Sequence, residues 1–287
     1  MRLLFYIGYD AGFFSEYNNM LLAIVYCRRN NIQFYLSSKG ANFAYSCGWR
    51  DYFEPFCKEL NIPYQRIMNP RLEVPLPTKG KREKIKRGIF GILKRFYGID
   101  LLTYDIFNKA RTQMVDDTFI EDCRALNQSI WRYNKSTIQS VEAHRNMLAL
   151  PKEYVGIHIR RGDKCREIQH TDIQQYIDMV VSHSKCKDVF VATDDYSVYE
   201  QLCLQYPDWR FYTLTSKLHQ GYDQRTFEKY TKECKREEMI SLFTDIEVLA
   251  SSQLFVGTLS SNIGMYLYWR LPKGKCIGVD YREWRIW

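Results

Sequence analysis

The residues best suited to chemistry stand near the middle of the chain, in the stretch YVGIHIRRGDK at positions 154–164. Its small and apolar residues predict a buried strand that runs directly into charged side chains. Arg160 and Arg161 are adjacent, so only one can point at a given ligand while the other braces the site. Because a guanidinium meets two phosphate oxygens at once, the stretch predicts a diphosphate clamp. The alternative is a solvated loop with internal Arg–Asp pairing.

Four other side chains in or near this stretch are titratable. His158 lies within the predicted strand, Asp163 and Lys164 follow it, and Glu167 comes shortly after. Lys164 adds a compact positive charge. A carboxylate at this place is a candidate for accepting a proton from a reacting hydroxyl.

Regular alternation of strands and helices surrounds this stretch in the carboxyl-terminal half. The predicted strands are 155–159, 189–193, 211–214, 254–257 and 276–280. The predicted helices are 172–182, 198–206, 235–250 and 263–269. This alternation is typical of a parallel, doubly wound sheet.

Two more polar groups follow strands of this sheet, and side chains at the carboxyl ends of neighbouring strands meet in one crevice. Asp194 and Asp195 follow the second strand, and the segment TLSSNIG at 258–264 follows the fourth. That segment opens a helix, whose free N–H groups can receive phosphate. Asp245, on the preceding helix, is placed to accept from a nucleobase. Neither a dinucleotide fingerprint nor a Walker A motif is present, which argues against a dehydrogenase or an NTPase.

The amino-terminal half opens as a strand at 2–8, a helix at 18–30 and a strand at 32–36. We therefore expect two α/β domains, 1–150 and 151–287. The aromatic residues that follow either line a site for a sugar acceptor or pack in the core: Trp49, Tyr52, Phe53 and Phe56.

Composition narrows the class of protein. The 287 residues are 46% hydrophobic, as in a folded enzyme, and no apolar run is long enough for a transmembrane helix or a signal peptide. Nine scattered cysteines without a C-x-x-C pair predict reduced thiols in a cytoplasmic protein, with neither a structural zinc site nor any other metal. Nucleic-acid-binding signatures are absent, so no nucleic-acid partner is expected.

The net charge of +8 is concentrated in one segment. Residues 79–98 hold eight Lys or Arg and one Glu, so they contribute +7. The same segment has apolar residues at helical spacing, Ile85, Ile89, Ile92, Leu93 and Phe96. It predicts either peripheral contact with an anionic membrane or a surface helix docked on its own domain.

Three segments carry a family resemblance. HIRRGDK at 158–164, VFVATDD at 189–195, and DIEVLA at 245–250 with FVGTLSSN at 255–262 resemble three successive motifs of the α1,6-fucosyltransferase family. The resemblance implies a GT-B-like α/β fold of two facing Rossmann-like domains. The carboxyl-terminal domain would bind GDP-fucose, and the amino-terminal domain would bind a glycan acceptor.

The resemblance also implies roles for individual residues. Arg160 would hold the β-phosphate, and His158 with Asp245 would contact the nucleoside. The diphosphate region would be bound by Ser260, Ser261 and Asn262, where Asn262 replaces a Gln of the family. Glu167 stands near the position of the family's proposed base.

These residues lead to the hypothesis of an inverting fucosyltransferase that needs neither a metal nor a cofactor. Arg160 would stabilise the departing diphosphate in place of a metal, and Glu167, or else Asp163 or Asp195, would take the acceptor proton. The alternatives are a transferase that uses GDP-mannose or a UDP-sugar, and a non-catalytic membrane- or glycan-binding protein with a relic nucleotide site.

Overall fold

The computed structural model describes residues 1–8, 11–61, 81–102, 118–162 and 171–282. The chain divides into two compact units, Met1–Asn134 and Lys135–Trp287. The sequence placed this division near residue 150. It falls earlier because the helix Lys135–Asn146 packs on the long helix Lys232–Ser251 of the second unit.

The first unit is built on a small parallel sheet. Its strands are β1 (Arg2–Tyr6), β2 (Gln33–Ser37), β3 (Lys58–Glu59) and β4 (Leu101–Leu102), in the order β3-β2-β1-β4. Its helices are α1 (Phe13–Arg29), α2 (Lys81–Tyr97) and α3 (Phe119–Ile130). The predicted strand-helix-strand opening is therefore present, and the short strands β3 and β4 are additions that the sequence did not indicate.

Aromatic packing explains why α1 begins at Phe13 rather than at the predicted residue 18. Phe13 stacks on Tyr17 and Phe53, and Tyr17 stacks on Trp49. Trp49, Tyr52 and Phe53 are at most 1% exposed. These three rings are therefore core residues, and of the four aromatic candidates only Phe56 is partly exposed.

The second unit is a five-stranded parallel sheet with the strand order β7-β6-β5-β8-β9. The strands are β5 (Val155–Ile159), β6 (Asp188–Thr193), β7 (Arg210–Tyr212), β8 (Leu254–Gly257) and β9 (Cys276–Gly278). The helices are α4 (Lys135–Asn146), α5 (Ile173–His183), α6 (Tyr196–Gln205), α7 (Gln224–Glu228), α8 (Lys232–Ser251) and α9 (Asn262–Arg270). The prediction of a parallel, doubly wound sheet is confirmed, with strand ends within three residues of those expected.

The strand order fixes where a ligand can bind. In chain order within the unit the strands run third, second, first, fourth and fifth, which is the Rossmann arrangement. The order reverses between β5 and β8, and such a reversal opens a crevice at the carboxyl ends of the strands. Every residue of β5 and β6 is buried, so that crevice rests on a rigid core.

Candidate active site

The candidate site is at the carboxyl ends of β5, β6 and β8. His158, the penultimate residue of β5, lies between Ala192 of β6 and Gly257 of β8 in the sheet register. Arg160 directly follows β5, and Asp194 directly follows β6. Parallel pairing thus brings the strand ends of all three predicted motifs side by side, as expected.

Arg160 is held by two partners from other segments. Its Nη1 lies 3.1 Å from Oδ2 of Asp194, and its guanidinium carbon lies 4.7 Å from the centre of the Tyr222 ring. The Arg160 side chain is 23% exposed and that of Asp194 is 13% exposed. The cation is therefore fixed in position, with part of its surface open to a ligand.

Asp194 also holds two backbone segments together. Its Oδ1 accepts a hydrogen bond from the Arg161 amide at 2.7 Å, and its Oδ2 accepts one from the Tyr222 amide at 3.1 Å. The Gly221 amide donates to the Asp194 carbonyl at 2.7 Å. Asp194 is therefore the residue that joins the loop after β5 to the loop around residue 221.

Glycine is required where these loops touch. Gly162 and Gly221 have φ angles of +33° and +102°, in the region that L side chains rarely adopt. A Cβ on Gly162 would lie 2.6 Å from Oδ2 of Asp194, and one on Gly221 would lie 2.9 Å from the Cα of Gly162. Neither position has space for a side chain.

Arg161, which the sequence also made a candidate for binding the nucleotide sugar, contacts its own domain. Its Nη1 donates to the Thr171 carbonyl at 2.9 Å, just before the start of α5. The two adjacent arginines thus point to different partners, as strand geometry requires.

His158 is a neutral, buried imidazole with unused hydrogen-bonding capacity. The residue is 5% exposed, and its Nδ1 has no partner among the described residues. Burial lowers its pKa to about 4, the Arg160 charge acts in the same direction, and Asp194 opposes both. Buried polar atoms are normally hydrogen-bonded, so this Nδ1 is available to a ligand atom.

Asp245, on α8, is partly buried and carries a second atom of this kind. Its Oδ1 is buried and accepts no hydrogen bond from the described residues. Burial raises its pKa to about 8, although the nearby His219 acts to lower it. His219 in turn lies 3.3 Å from Glu238, and that hydrogen bond raises its own pKa.

Two predicted site residues are used as helix caps. Asp195 accepts from the Ser197 amide at 2.9 Å and so caps α6. Ser261 accepts from the Gly264 amide at 2.9 Å, donates to the Thr258 carbonyl at 2.8 Å and caps α9. Capping uses one oxygen of Asp195 and the hydroxyl of Ser261 within the fold, which gives both residues a structural role.

The loop between β8 and α9 is tied to the end of β9. The Leu259 and Ser260 amides, which precede the helix, donate to the Asp280 carboxylate at 2.7 and 3.0 Å. Asp280 follows β9, the neighbour of β8, so the sheet brings it to this loop. These two amides therefore serve the fold, while Ser260 and Asn262 are half-exposed at the same loop.

Three predicted site residues, Asp163, Lys164 and Glu167, lie outside the described residues. Sequence reasoning missed Tyr222, His219 and Asp280. The first two are more than fifty positions from the β5 motif, and no spacing rule links them to it. Asp280 was detectable, because it ended a predicted strand of the same sheet.

Among the described residues, no group of three His, Cys, Asp or Glu side chains is arranged to hold a metal ion. The eight cysteines within the described ranges form no disulfide. None of the described helices combines the length and apolarity needed to cross a bilayer.

Comparison with known proteins shows which family the sequence matches. A sequence model described as alpha-(1,6)-fucosyltransferase N- and catalytic domains matches residues 118–268, more than half of the chain. No curated protein matches the sequence.

Solved fucosyltransferases share the fold. NodZ from Bradyrhizobium is 15% identical with a TM-score of 0.58, over 94% of this chain and 93% of that one. A mutant of Arabidopsis thaliana FUT1 in complex with GDP is 10% identical with a TM-score of 0.54, over 95% and 71%. POFUT1 in complex with GDP-fucose is 10% identical with a TM-score of 0.53, over 99% and 98%. The family match and the two Rossmann-like sheets together show that this chain belongs to the α-(1,6)-fucosyltransferase family and is a fucosyltransferase.

Proposed function

We propose that the protein transfers L-fucose from GDP-β-L-fucose to a hydroxyl of a glycan acceptor, with inversion at the anomeric carbon. The observation that carries the proposal is the fixed Arg160 guanidinium beside the β5–β8 crevice, 3.1 Å from Asp194 and stacked on Tyr222. Structures of NodZ soaked with GDP-fucose and of POFUT1 with GDP-fucose, which share the fold, support the choice of donor.

Two buried polar atoms are suited to hold the nucleoside. His158 Nδ1 and Asp245 Oδ1 have no hydrogen-bond partner among the described residues. An ionised Asp245 would accept from the two adjacent N–H groups of guanine, whereas uracil offers a single ring N–H. This chemistry favours a GDP-sugar over a UDP-sugar.

Arg160 would act on the departing diphosphate. Negative charge on the leaving group increases as the glycosidic bond breaks, so a fixed cation stabilises the transition state more than the ground state. Tyr222 and Asp194 already hold the guanidinium, and little reorientation is needed when the bond breaks. In this proposal the arginine supplies the charge that a divalent metal supplies in other glycosyltransferases.

A carboxylate must take the proton of the acceptor hydroxyl. We propose Glu167 as this base, with Asp163 as the second candidate and Lys164 as an added positive charge at the donor. Asp195 is the weakest candidate because its Oδ1 caps α6. The amino-terminal unit, of which residues 1–8, 11–61, 81–102 and 118–134 are described, would bind the acceptor.

The experiment that tests the proposal offers the purified protein a panel of donors. We expect GDP and GDP-fucose to raise the melting temperature more than GDP-mannose or UDP-sugars, and GDP release to require GDP-fucose and an acceptor glycan. NMR of the product would give the linkage. Transfer from GDP-mannose at an equal or higher rate would contradict the choice of donor, and strong inhibition by EDTA would contradict the metal-free mechanism.

A further inference from the structure

Helix α2 presents two different apolar faces. Leu93 is 3% exposed and packs with Leu4, Tyr6 and Leu102 in a cluster of the first unit, against which Ile89 and Phe90 also pack. Ile85, Ile92 and Phe96 are instead 45%, 57% and 71% exposed. The helix is therefore docked on its unit by one face and leaves an apolar stripe open on another.

The exposed stripe is continuous along the helix. Ile85, Ile92 and Phe96 are spaced by seven and four residues, which brings their side chains to one side of an α-helix. At roughly 100° per residue the stripe is about a quarter turn from Leu93, so both faces fit on the same helix. The docked face accounts for burial in the first unit, and the stripe needs a separate explanation.

Basic side chains border the stripe. Lys84 and Arg95 are exposed and lie about a quarter turn from it, on the side opposite Leu93. Lys94 is also exposed, and no acidic side chain is described on α2 between Lys84 and Tyr97. Apolar residues beside a row of cations fit a surface that is anionic outside and apolar below.

We propose that α2 binds the surface of an anionic lipid bilayer, with Ile85, Ile92 and Phe96 inserted at the level of the headgroups and Lys84 and Arg95 on the phosphates. Charge complementarity favours a membrane over a second copy of this chain, because two α2 helices face to face would bring like charges together. The helix lies in the interface and does not cross the bilayer. The proposal is independent of the donor and of the reaction.

Flotation with vesicles tests the proposal. The full chain should partition onto vesicles of phosphatidylcholine with 30% phosphatidylglycerol and not onto pure phosphatidylcholine vesicles, and raising the salt concentration should weaken partitioning. The double substitution Lys84→Gln and Arg95→Gln removes two positive charges. It should lower the partition coefficient about thirtyfold, because each charge contributes a factor of roughly five. Replacing Ile92→Ser and Phe96→Ser should lower it roughly tenfold or more.

Matched variants on the second unit serve as controls. Lys185→Gln with Lys187→Gln removes two exposed charges, and Val181→Ser with Leu204→Ser removes two apolar residues that are 62% and 82% exposed. Both control pairs should bind vesicles like the unchanged protein. All variants should keep the same melting temperature and the same activity on a soluble acceptor.

Two results would overturn the proposal. One is equal partitioning of the α2 variants and the controls. The other is a dimer in sedimentation that becomes a monomer on Ile92→Ser, without vesicle binding by either protein, because the stripe would then be an interface between copies.

Discussion

The loop after β5 and the loop after β8 were both predicted to bind phosphate, but they use their polar groups differently. At β5 and β6, Arg160 is partly exposed and His158 keeps a buried ring nitrogen without a partner among the described residues. At β8 and β9, Asp280 occupies two backbone amides and Ser261 caps α9. Polar residues after strands therefore include groups whose hydrogen bonds serve the fold and groups that remain available to a ligand, and their local bonding distinguishes the two.

The largest effect should come from Arg160. Arg160→Ala should lower kcat about a thousandfold or more, since it removes the cation that opposes the leaving-group charge. Steady-state fucosyl transfer measures this, and circular dichroism verifies folding. Arg210 is the matched control, because it pairs with Asp188 at 2.6 Å at the amino ends of β6 and β7, away from the candidate site. Near-normal activity of Arg160→Ala would contradict the proposed role.

Substitutions at the two neighbouring aspartates should distinguish a residue that positions Arg160 from a residue that only caps a helix. Asp194→Asn removes the charge that holds Arg160, and we expect kcat to fall tenfold to a hundredfold. Asp195→Asn should change little, because Asn caps helices as well as Asp does. Measuring kcat and KM for the two variants shows whether each aspartate contributes to catalysis or only to the helix cap. Equal losses would mean that Asp195 has a role beyond capping.

Asp280 should affect stability more than binding. Asp280→Ala leaves the amides of Leu259 and Ser260 without their acceptor, at a cost of about 2 kcal/mol in unfolding free energy. Urea denaturation measures this cost, with Asp208→Ala as the exposed control. We expect the Kd for GDP to change less than about threefold. A large loss of GDP affinity at unchanged stability would make the β8 end part of the ligand site.

The smallest expected effect is the release of a proton from Asp245 when GDP binds. The pKa of Asp245 is about 8 without ligand, so the carboxyl is largely protonated at neutral pH, whereas binding of guanine requires the carboxylate. GDP binding should therefore strengthen as pH rises from 6 towards 8 and should release a fraction of a proton at pH 7.5. Calorimetry in two buffers of different ionisation enthalpy measures this number. Asp245→Asn should release none, and an unchanged value in that variant would assign the proton elsewhere.

Much of the fold followed from the sequence because its strands are unambiguous. Val155–Ile159 and Leu254–Gly257 are short apolar runs between helical patterns, and the structure has strands at these residues. Short strands such as Lys58–Glu59 were missed, because two residues have no periodicity and depend on pairing with β2. The start of α1 was missed because its first residues are aromatic and are buried by tertiary packing.

The candidate site was predicted only in part, because some of its contacts follow from local sequence and others depend on tertiary packing. The prediction that one arginine faces the ligand and the other braces the loop follows from strand geometry, and the described contacts of Arg161 agree with it. The stacking of Tyr222 on Arg160 joins residues 62 positions apart, so only the folded chain reveals it. Likewise, hydroxyl and carboxyl groups at a helix start can cap the helix or bind an anion, and composition alone does not decide between them.

The pairing of Arg160 with Asp194 has a consequence for selectivity. Because the Asp194 carboxylate offsets the Arg160 charge, this pair exerts a weaker long-range pull on small inorganic anions than a lone guanidinium would. In the proposed donor site, a nucleotide would gain further contacts with the buried nitrogen of His158 and the oxygen of Asp245, which free phosphate is too small to make together with Arg160. If the proposed function holds, the protein would therefore prefer complete nucleotides to free phosphate through several weak contacts made together.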